Sequence, residues 1–294
     1  MEEYYWDTKM EYLKTTRDLY YNDDYLEFLV NYVWNLTKPV HIIDFGCGYG
    51  YLGLKLLPLL PAGSKYTGID KGQHLINKGK ELFHNLKYET EFILADTNEI
   101  ALERKYDIAV CHAFLLHMTD PKSIIKKMIN SVVNDGKIIC FEPHWISNMA
   151  SYYISGYEQT QLIKLGILQK LFEGDIKQNG KDGNIGAKIP IYLTELGVEN
   201  IQCRISDKVN FLNPKMDQKD KQKLYLSLKE EGLGEEPTNR DAFIEGLKKR
   251  GMTLKDALAQ YEAELLFSKV FNIDSSLVYD PSMKITFGEI KHSS

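Results

Sequence analysis

Short runs of apolar residues alternate with segments of helical spacing from about Val40 to Pro143. The run Tyr106–Phe114 is apolar at nearly every position, which is typical of a strand buried on both faces of a sheet. Strands that alternate with helices at this spacing indicate a doubly wound α/β fold with a parallel sheet. The pattern predicts strands at Val40–Phe45, Lys65–Asp70, Glu91–Asp96, Tyr106–Phe114 and Gly136–Pro143.

Helices are predicted between these strands. Tyr51–Leu60 is rich in leucine and ends at a proline, and His74–Leu86 carries its apolar residues on one helical face. A further helix begins at Asp120 and Pro121, because aspartate caps a helix and proline is tolerated at its first position.

The alternation changes after Pro143. Residues 145–187 are predicted to be helical and loop-like, with a glycine-rich stretch around Gly174–Gly186. Residues 189–208 restore a helix and a strand, residues 213–273 are charged and helix-prone, and Met283–Ile290 has the pattern of a last strand. We interpret the chain as one α/β domain with two helical insertions that cover the ligand-binding edge of the sheet.

The composition is that of an ordinary globular protein, with 44% hydrophobic and 26% charged residues among 294. The formal net charge is −5, whereas proteins that bind nucleic acid usually have a basic excess. None of the four cysteines forms a C-x-x-C pair, so the spacing does not indicate a zinc or redox site.

The N-terminal segment is acidic and aromatic and lacks the apolar region of a signal peptide. No window approaches 18 uncharged apolar residues, so no membrane span is predicted. We therefore expect a soluble, cytoplasmic protein, and the sequence leaves its oligomeric state open.

Three glycines follow the first predicted strand and precede a helix, at Gly46, Gly48 and Gly50. Such a turn lets the backbone approach a ligand closely. Tyr51 stands where the third glycine of a dinucleotide fingerprint would fall, and Asp44 lies just before the turn. Both features count against a nicotinamide dinucleotide.

The motifs DFGCGYG, GID, LAD and YDIAVCHAFLLHMTDP together resemble those of the class I S-adenosylmethionine-dependent methyltransferases, and most of all the UbiE-like branch that acts on small molecules. The resemblance covers roughly Val40 to Pro143. It implies a mostly parallel, seven-stranded, Rossmann-like sheet with an antiparallel C-terminal strand. We predict a single methyltransferase domain, with its core at about 38–145, 188–210 and 280–294, a helical cap at about 146–187 and 211–279, and an N-terminal helical arm at 1–37.

The resemblance also implies roles for individual positions. Asp44 would hold the methionine ammonium, Asp70 the ribose hydroxyls and Asp96 the adenine amino group. An apolar residue often packs on the adenine where this chain has Lys71 and Gly72, so one wall of the adenine pocket stays unidentified. The cofactor-binding positions implied in this way are Asp44, Gly46, Cys47, Gly48, Asp70, Lys71, Asp96, Thr97, His112 and Ala113.

The expected reaction is in-line methyl transfer to a small-molecule acceptor, without a metal. His117 is the first candidate for a catalytic base, followed by His144 and Glu142. His112 is expected to contribute its backbone and not its imidazole.

Purely structural roles also stay open for several of these residues. Asp44 and Asp70 could be simple strand-end carboxylates, Asp96 could belong to a turn, and His117 could have a structural role. The tyrosines of the arm could close over a ligand or form a packing face: Tyr4, Tyr5, Tyr12, Tyr20, Tyr21 and Tyr25.

Two other functions compete with methyl transfer. The shared strand-glycine-helix arrangement leaves an NAD(P)-dependent oxidoreductase as an alternative. A non-catalytic regulatory protein that binds S-adenosylmethionine is another. A nucleic-acid amine substrate is disfavoured, because the segment after the fourth strand lacks the Pro-Pro motif of that group.

Overall fold

The computed structural model describes residues 4–103 and 105–292. The strands in this part of the chain are β1 (His41–Phe45), β2 (Lys65–Asp70), β3 (Glu89–Leu94), β4 (Tyr106–His112), β5 (Val132–Pro143), β6 (Tyr152–Ile154), β7 (Glu199–Ile205), β8 (Asn210–Leu212), β9 (Leu277–Tyr279) and β10 (Met283–Glu289).

The α-helices in the same residues are α1 (Met10–Thr16), α2 (Asp23–Phe28), α3 (Tyr51–Leu56), α4 (Gln73–Phe83), α5 (Pro121–Ser131), α6 (Trp145–Ala150), α7 (Gln159–Leu162), α8 (Leu165–Asn179), α9 (Ile189–Glu195), α10 (Gln218–Glu230), α11 (Arg240–Lys249) and α12 (Leu254–Val270). Single 3₁₀ turns extend several of these helices, and a π-helical turn at Leu29–Val33 continues α2.

The main sheet of the described residues has seven strands in the order β3-β2-β1-β4-β5-β10-β7. The five strands from β3 to β5 are parallel to one another, and β10 runs antiparallel to both of its neighbours. The predicted fold class is therefore confirmed. The order reverses between β1 and β4, and ligands bind at such a switch point in doubly wound folds.

The predicted strand positions differ from the structure mainly at their ends. Strand β3 ends at Leu94 instead of Asp96, and β4 ends at His112 instead of Phe114. Strand β5 begins earlier than predicted, at Val132, and its pairing with β4 shifts register before Lys137. Asp135 lies in this irregular stretch with a φ of 65°, so the strand continues through residues that have the composition of a turn.

A second sheet was missed. Strands β6, β9 and β8 form a three-stranded antiparallel sheet. Strand β6 lies in residues 145–187, which were expected to be helical and loop-like, and no strand was predicted at β8 or β9. Each of these strands has only three residues, which is too short for a period-two pattern to be visible. Helix α8 also continues through Gly174 into the stretch that was expected to be a glycine-rich loop. The division of the chain into core and cap stays a prediction.

The N-terminal arm packs on the sheet through its apolar side chains. Tyr20 and Tyr21 are buried, and Tyr25 stacks on Phe28 with ring centroids 6.2 Å apart. These arm tyrosines therefore form a packing face, whereas Tyr4 and Tyr5 line cavities that are described below.

Glu142, near the end of β5, holds the loop that follows β4. Its Oε1 accepts hydrogen bonds from the backbone N–H groups of Phe114 (3.0 Å) and Leu115 (2.8 Å). Ala113, which joins this loop to β4, has a φ of 47°. Burial raises the pKa of Glu142 to about 7. This carboxyl group is fully buried and lines neither of the two cavities described below, so it positions the backbone and is not assigned as a base.

Removal of this carboxyl group should destabilise the fold. Glu142→Ala leaves two buried N–H groups without an acceptor, and the free energy of unfolding is expected to fall by about 2–3 kcal/mol. Glu142→Gln keeps an acceptor oxygen and should lose less. Urea denaturation measures the free energy of unfolding of both variants, and Glu262→Ala, at an exposed position, is the control. If Glu142→Ala is as stable as the control, Glu142 does not hold the loop.

Candidate functional site

A cavity of about 640 Å³ opens at the carboxyl ends of β1 and β4. Its walls come from the glycine turn, the loop after β4 and the N-terminal arm. They are lined by Tyr4, Trp6, Leu13, Arg17, Asp44, Gly46, Cys47, Gly48, Tyr49, Tyr51, Leu52, Asp70, Leu75, His112, Ala113, Phe114, His117 and Met118. We call this space the first cavity.

The glycine turn needs its glycines for two reasons. Gly46, Gly48 and Gly50 have φ values of 68°, 56° and 89°, in the region that other residues adopt at a cost. A side chain on Gly46 would overlap the ring of Phe114, only 2.1 Å from the position of its Cβ. A side chain on Gly48 would meet only one atom within 4 Å, a methyl of Leu13, so the space beside Gly48 is open to a ligand.

Asp70, the last residue of β2, ties the glycine turn to the beginning of α4. Its two carboxylate oxygens accept hydrogen bonds from the backbone N–H groups of Gly48 (2.9 Å) and Gly72 (2.8 Å). Burial raises the pKa of Asp70, and these backbone bonds oppose the shift. Each carboxylate oxygen can accept a second hydrogen bond, so capacity for a ligand remains.

Asp44 is buried below the glycine turn. Its Oδ2 accepts a hydrogen bond from the hydroxyl of Tyr66 at 2.7 Å. Its Oδ1 has no hydrogen-bond partner among the described residues, and burial raises the pKa of Asp44 to about 7. A buried carboxylate oxygen without a partner is costly, so its position in the cavity wall favours a ligand that donates a hydrogen bond.

Arg17, which the sequence analysis missed, also lines the first cavity. Within residues 4–103 and 105–292, its guanidinium forms no ion pair or hydrogen bond. The hydroxyl of Tyr51 donates to the backbone carbonyl of Arg17 at 3.2 Å, which connects the arm to the start of α3. No sequence motif surrounds Arg17, and only the packing of the arm brings it to the cavity.

The beginning of the arm lies across the opening. The Asp7 carboxylate accepts a hydrogen bond from the backbone N–H of Leu75 at 3.0 Å. The Lys71 ammonium lies 4.9 Å from the ring centroid of Tyr4, and the ring of Trp6 lies 4.9 Å from that of His117. The arm therefore forms part of the wall of the cavity.

A second cavity, of about 1120 Å³, adjoins the first and includes Lys71, Asp96 and Thr97. The Asp96 carboxylate accepts from the backbone N–H of Asn98 at 2.8 Å, and this bond lowers the pKa of Asp96. The Lys71 ammonium is 4.0 Å from the same carboxylate. The two cavities share the walls Tyr4, Trp6, Gly46, Asp70, Phe114, His117 and Met118.

His112 lines the first cavity, where its backbone was expected to contribute, and its imidazole is buried. It lies between the rings of Tyr21 and Tyr51, with centroids 5.7 Å and 5.5 Å away. Its Nε2 has no partner among the described residues, and burial lowers the pKa of His112 well below its usual value. The ring is therefore neutral near pH 7.

The other two candidate histidines differ in position. His117 lines both cavities, and burial lowers its pKa to about 4. His144 lines neither cavity. Its Nδ1 accepts a hydrogen bond from the backbone N–H of Ser147 (3.3 Å) and caps α6.

Cys47 is buried, which raises the pKa of its thiol and makes it a poor nucleophile. In the part of the chain that the structure describes, no group of His, Cys, Asp and Glu has the arrangement of a metal site.

The fold and the site together define a Rossmann-like protein with a cofactor cavity at the switch point of its sheet. A family model described as a methyltransferase domain matches residues 36–225. The chain belongs to this family, the class I methyltransferases, and its cofactor is S-adenosylmethionine. Among the described residues, no helix combines the length and apolarity needed to cross a bilayer.

Two curated relatives are similar over part of the chain. A malonyl-[acyl-carrier protein] O-methyltransferase of Acetivibrio thermocellus is 32% identical over 95 residues, which are 32% of this chain and 32% of that protein. A ubiquinone biosynthesis O-methyltransferase of Hydrogenovibrio crunogenus is 31% identical over 128 residues, which are 42% of this chain and 50% of that protein. The chain thus spans a third to a half of the length of these relatives.

Solved structures share the fold at low identity. The YcgJ protein of Bacillus subtilis superposes with a TM-score of 0.51 and 9% identity, over 92% of this chain and 100% of that one. The [4+2]-cyclase SpnF gives a TM-score of 0.50 and 14% identity, over 98% and 95% of the two chains. Because one of these proteins is a cyclase, the fold by itself does not specify the reaction.

Gly48→Ala tests the contact between the glycine turn and the cofactor. The matched control is Gly197→Ala, because Gly197 has a φ of 79° and also has no close neighbour. Each variant should lose about 1–2 kcal/mol of unfolding free energy to the left-handed backbone. Only Gly48→Ala should weaken the binding of S-adenosylhomocysteine, by at least about tenfold, in isothermal titration calorimetry. Equal affinity in the two variants would place the ligand away from the turn.

Proposed function

We propose that this protein transfers the methyl group of S-adenosylmethionine to a small-molecule acceptor. The observation that carries the proposal is a pair of groups in the first cavity that have no partner among the described residues, the Oδ1 of Asp44 and the guanidinium of Arg17. An acceptor oxygen and a cation in one enclosed space suit a zwitterionic amino acid. The methionine part of S-adenosylmethionine is such a zwitterion.

The other parts of the cofactor have suitable surroundings in the same two cavities. We assign the ribose hydroxyls to Asp70, whose carboxylate retains free acceptor positions. The adenine would then lie in the second cavity, near Lys71, Asp96 and Thr97. Asp96 already accepts from Asn98, so its contact with the adenine amino group would use its remaining lone pairs.

The cofactor supplies an activated methyl group on a sulfonium, so the protein need not create the electrophile. The contribution of the chain is to hold the acceptor in line and to exclude water. Trp6, Phe114 and Met118 form apolar walls where both cavities meet. Positioning of this kind lowers reaction barriers by about 7–11 kcal/mol at best.

An acceptor that keeps its proton until attack needs a base nearby. We assign this role to His117, which lines both cavities and, with its lowered pKa, is unprotonated at neutral pH. The Nε2 of His112 is the second group with this capacity, because it is buried without a partner. His144 is less suitable, because its Nδ1 already accepts a backbone hydrogen bond outside both cavities.

The acceptor is proposed to be a small molecule and not a nucleic acid. The supporting observation is the net charge of −5. The similarity to a ubiquinone biosynthesis O-methyltransferase supports the same proposal.

Arg17→Gln tests whether Arg17 contacts the amino-acid part of the cofactor and not its nucleoside part. We expect this variant to bind S-adenosylhomocysteine about tenfold more weakly, because a charge-assisted contact with the carboxylate is lost. Binding of 5′-methylthioadenosine, which lacks the amino-acid part, should stay unchanged. Calorimetry with both ligands checks this, and equal weakening of both would remove Arg17 from the carboxylate.

Cofactor binding should depend on pH through Asp44. The raised pKa of about 7 means that Asp44 gains a proton as the pH falls from 8 to 6. A protonated carboxyl no longer attracts an ammonium, so the affinity for S-adenosylhomocysteine should fall up to about tenfold per unit below pH 7. The Asp44→Asn variant should bind S-adenosylhomocysteine more weakly, and its affinity should not fall between pH 8 and 6. Glu142 and Glu231 also have pKa values of about 7, but they titrate in the variant and in the unaltered protein alike, so they do not explain a difference between the two. The same slope in the variant would exclude Asp44 as its source.

The function itself is tested by titration and transfer. Micromolar binding of S-adenosylmethionine and S-adenosylhomocysteine is expected, with none of NAD; preference for NAD would overturn the proposal. Incubation with methyl-labelled S-adenosylmethionine and a cell extract should then place label in the small-molecule fraction. Label in protein or nucleic acid, or no transfer despite binding, would contradict it.

A further inference from the structure

A third cavity lies among the helices that follow β5 and those from α10 to α12. It has a volume of about 1260 Å³ and shares no lining residue with the two cavities at the sheet edge. We call it the cap cavity. None of the roles proposed above uses it.

Aromatic rings form much of its wall. Tyr152 and Phe267 stack face to face with centroids 4.6 Å apart, and Trp145 and Phe243 also line the space. Such walls suit the apolar body of a small organic ligand.

Buried polar atoms without partners lie in the same wall. Gln260 is 4% exposed; its Nε2 donates to the Glu264 carboxylate at 2.8 Å, and its Oε1 has no partner among the described residues. Asn148 is 1% exposed; its Oδ1 accepts from the backbone N–H of Ser282, and its Nδ2 has no partner in the same residues. Each such atom destabilises the fold unless a ligand or a water molecule supplies the missing hydrogen bond.

Glu231 adds a third atom of this kind. Its Oε1 accepts from the hydroxyl of Tyr20, and its Oε2 is buried without a partner in the described part of the chain. Of these three atoms without a partner in the described residues, the Oε2 of Glu231 and the Oε1 of Gln260 are hydrogen-bond acceptors. The missing ligand group must therefore be mainly a hydrogen-bond donor.

The charged residues in the wall of the cap cavity also favour a ligand that donates hydrogen bonds. Four glutamates line the cap cavity, against one lysine, Lys164, whose ammonium donates to the carbonyl of Thr160. Burial raises the pKa of Glu231 to about 7 and that of Glu264 above its usual value, and a cation bound beside them would favour their ionised forms. The four glutamates are Glu231, Glu235, Glu236 and Glu264.

Two arginines moderate this charge from outside the cavity. Arg17 lies near Glu231 but faces the first cavity, and Arg250, near Glu264, forms a bidentate pair with Asp175. Neither arginine lines the cap cavity. A metal ion is a poorer match than an organic cation, because no group of metal-ligand residues is found in the described chain.

We propose that the cap cavity binds a small organic amine with an aromatic or otherwise apolar body. Its ammonium would donate to Glu231 and Gln260, and its body would lie against the rings of Tyr152 and Phe267. An ammonium near aromatic rings gains further attraction from their faces. This site goes beyond the proposed methyl transfer and does not depend on it.

Three indoles of similar size and different charge test the proposal on the full chain. They are tryptamine, which is cationic, 3-ethylindole, which is neutral, and indole-3-propionate, which is anionic. In isothermal titration calorimetry, tryptamine should bind at least about tenfold more tightly than either of the others. No tryptamine binding, or equal binding of all three, would overturn the proposal.

Variants locate the site. Glu231→Gln and Glu264→Gln should each weaken tryptamine binding several-fold, whereas Glu262→Gln, at an exposed position on the same helix as Glu264, should have no effect. Thermal denaturation checks that each variant is folded. If both cavity variants bind tryptamine as the unaltered protein does, the amine binds elsewhere and the proposal fails.

A cofactor-site variant separates this proposal from the proposed function. Asp70→Ala should lose S-adenosylhomocysteine binding and keep tryptamine binding, because Asp70 does not line the cap cavity. Loss of tryptamine binding in a folded Asp70→Ala protein would mean that the amine occupies the cofactor cavity, which would overturn the proposal for the cap cavity alone.

Discussion

The hydrogen bonds at the end of β2 organise the backbone on which the cofactor site depends. The Asp70 carboxylate accepts from Gly48 and Gly72, while the carbonyl of Ile69 accepts from the N–H groups of Gly46 and Cys47. These four bonds fix the glycine turn against the neighbouring strand in a conformation that only glycines adopt without strain. The open space beside Gly48 and the position of the buried Asp44 in the cavity wall both follow from this geometry.

Sequence reasoning succeeded where the chemistry is local. Strands β1 and β2 and the glycine turn all lie between His41 and Asp70, and their pattern predicted a ligand-binding turn beside which the first cavity opens. The same reasoning failed for β6, β8 and β9, because three-residue strands are defined by partners that are distant in sequence. Periodicity does not contain that information.

The site shows the same limit at the level of single side chains. Arg17 has no motif around it, and the long-range packing of the arm alone determines where its charge lies. The role of the His112 backbone stays a prediction, and the direction of its ring depends on packing between Tyr21 and Tyr51, which no sequence pattern contains. His144 lies near the right strand end, but a helix cap occupies its nitrogen.

The arm also affects how the protein could be shortened. The segment that matches the family model begins at residue 36, yet Tyr4, Trp6, Leu13 and Arg17 line the first cavity. A fragment trimmed to the matched segment would keep the glycine turn and lose one wall together with the cationic group. The boundary drawn by similarity is therefore not the boundary of the working unit, and an engineered minimal version must retain the preceding residues.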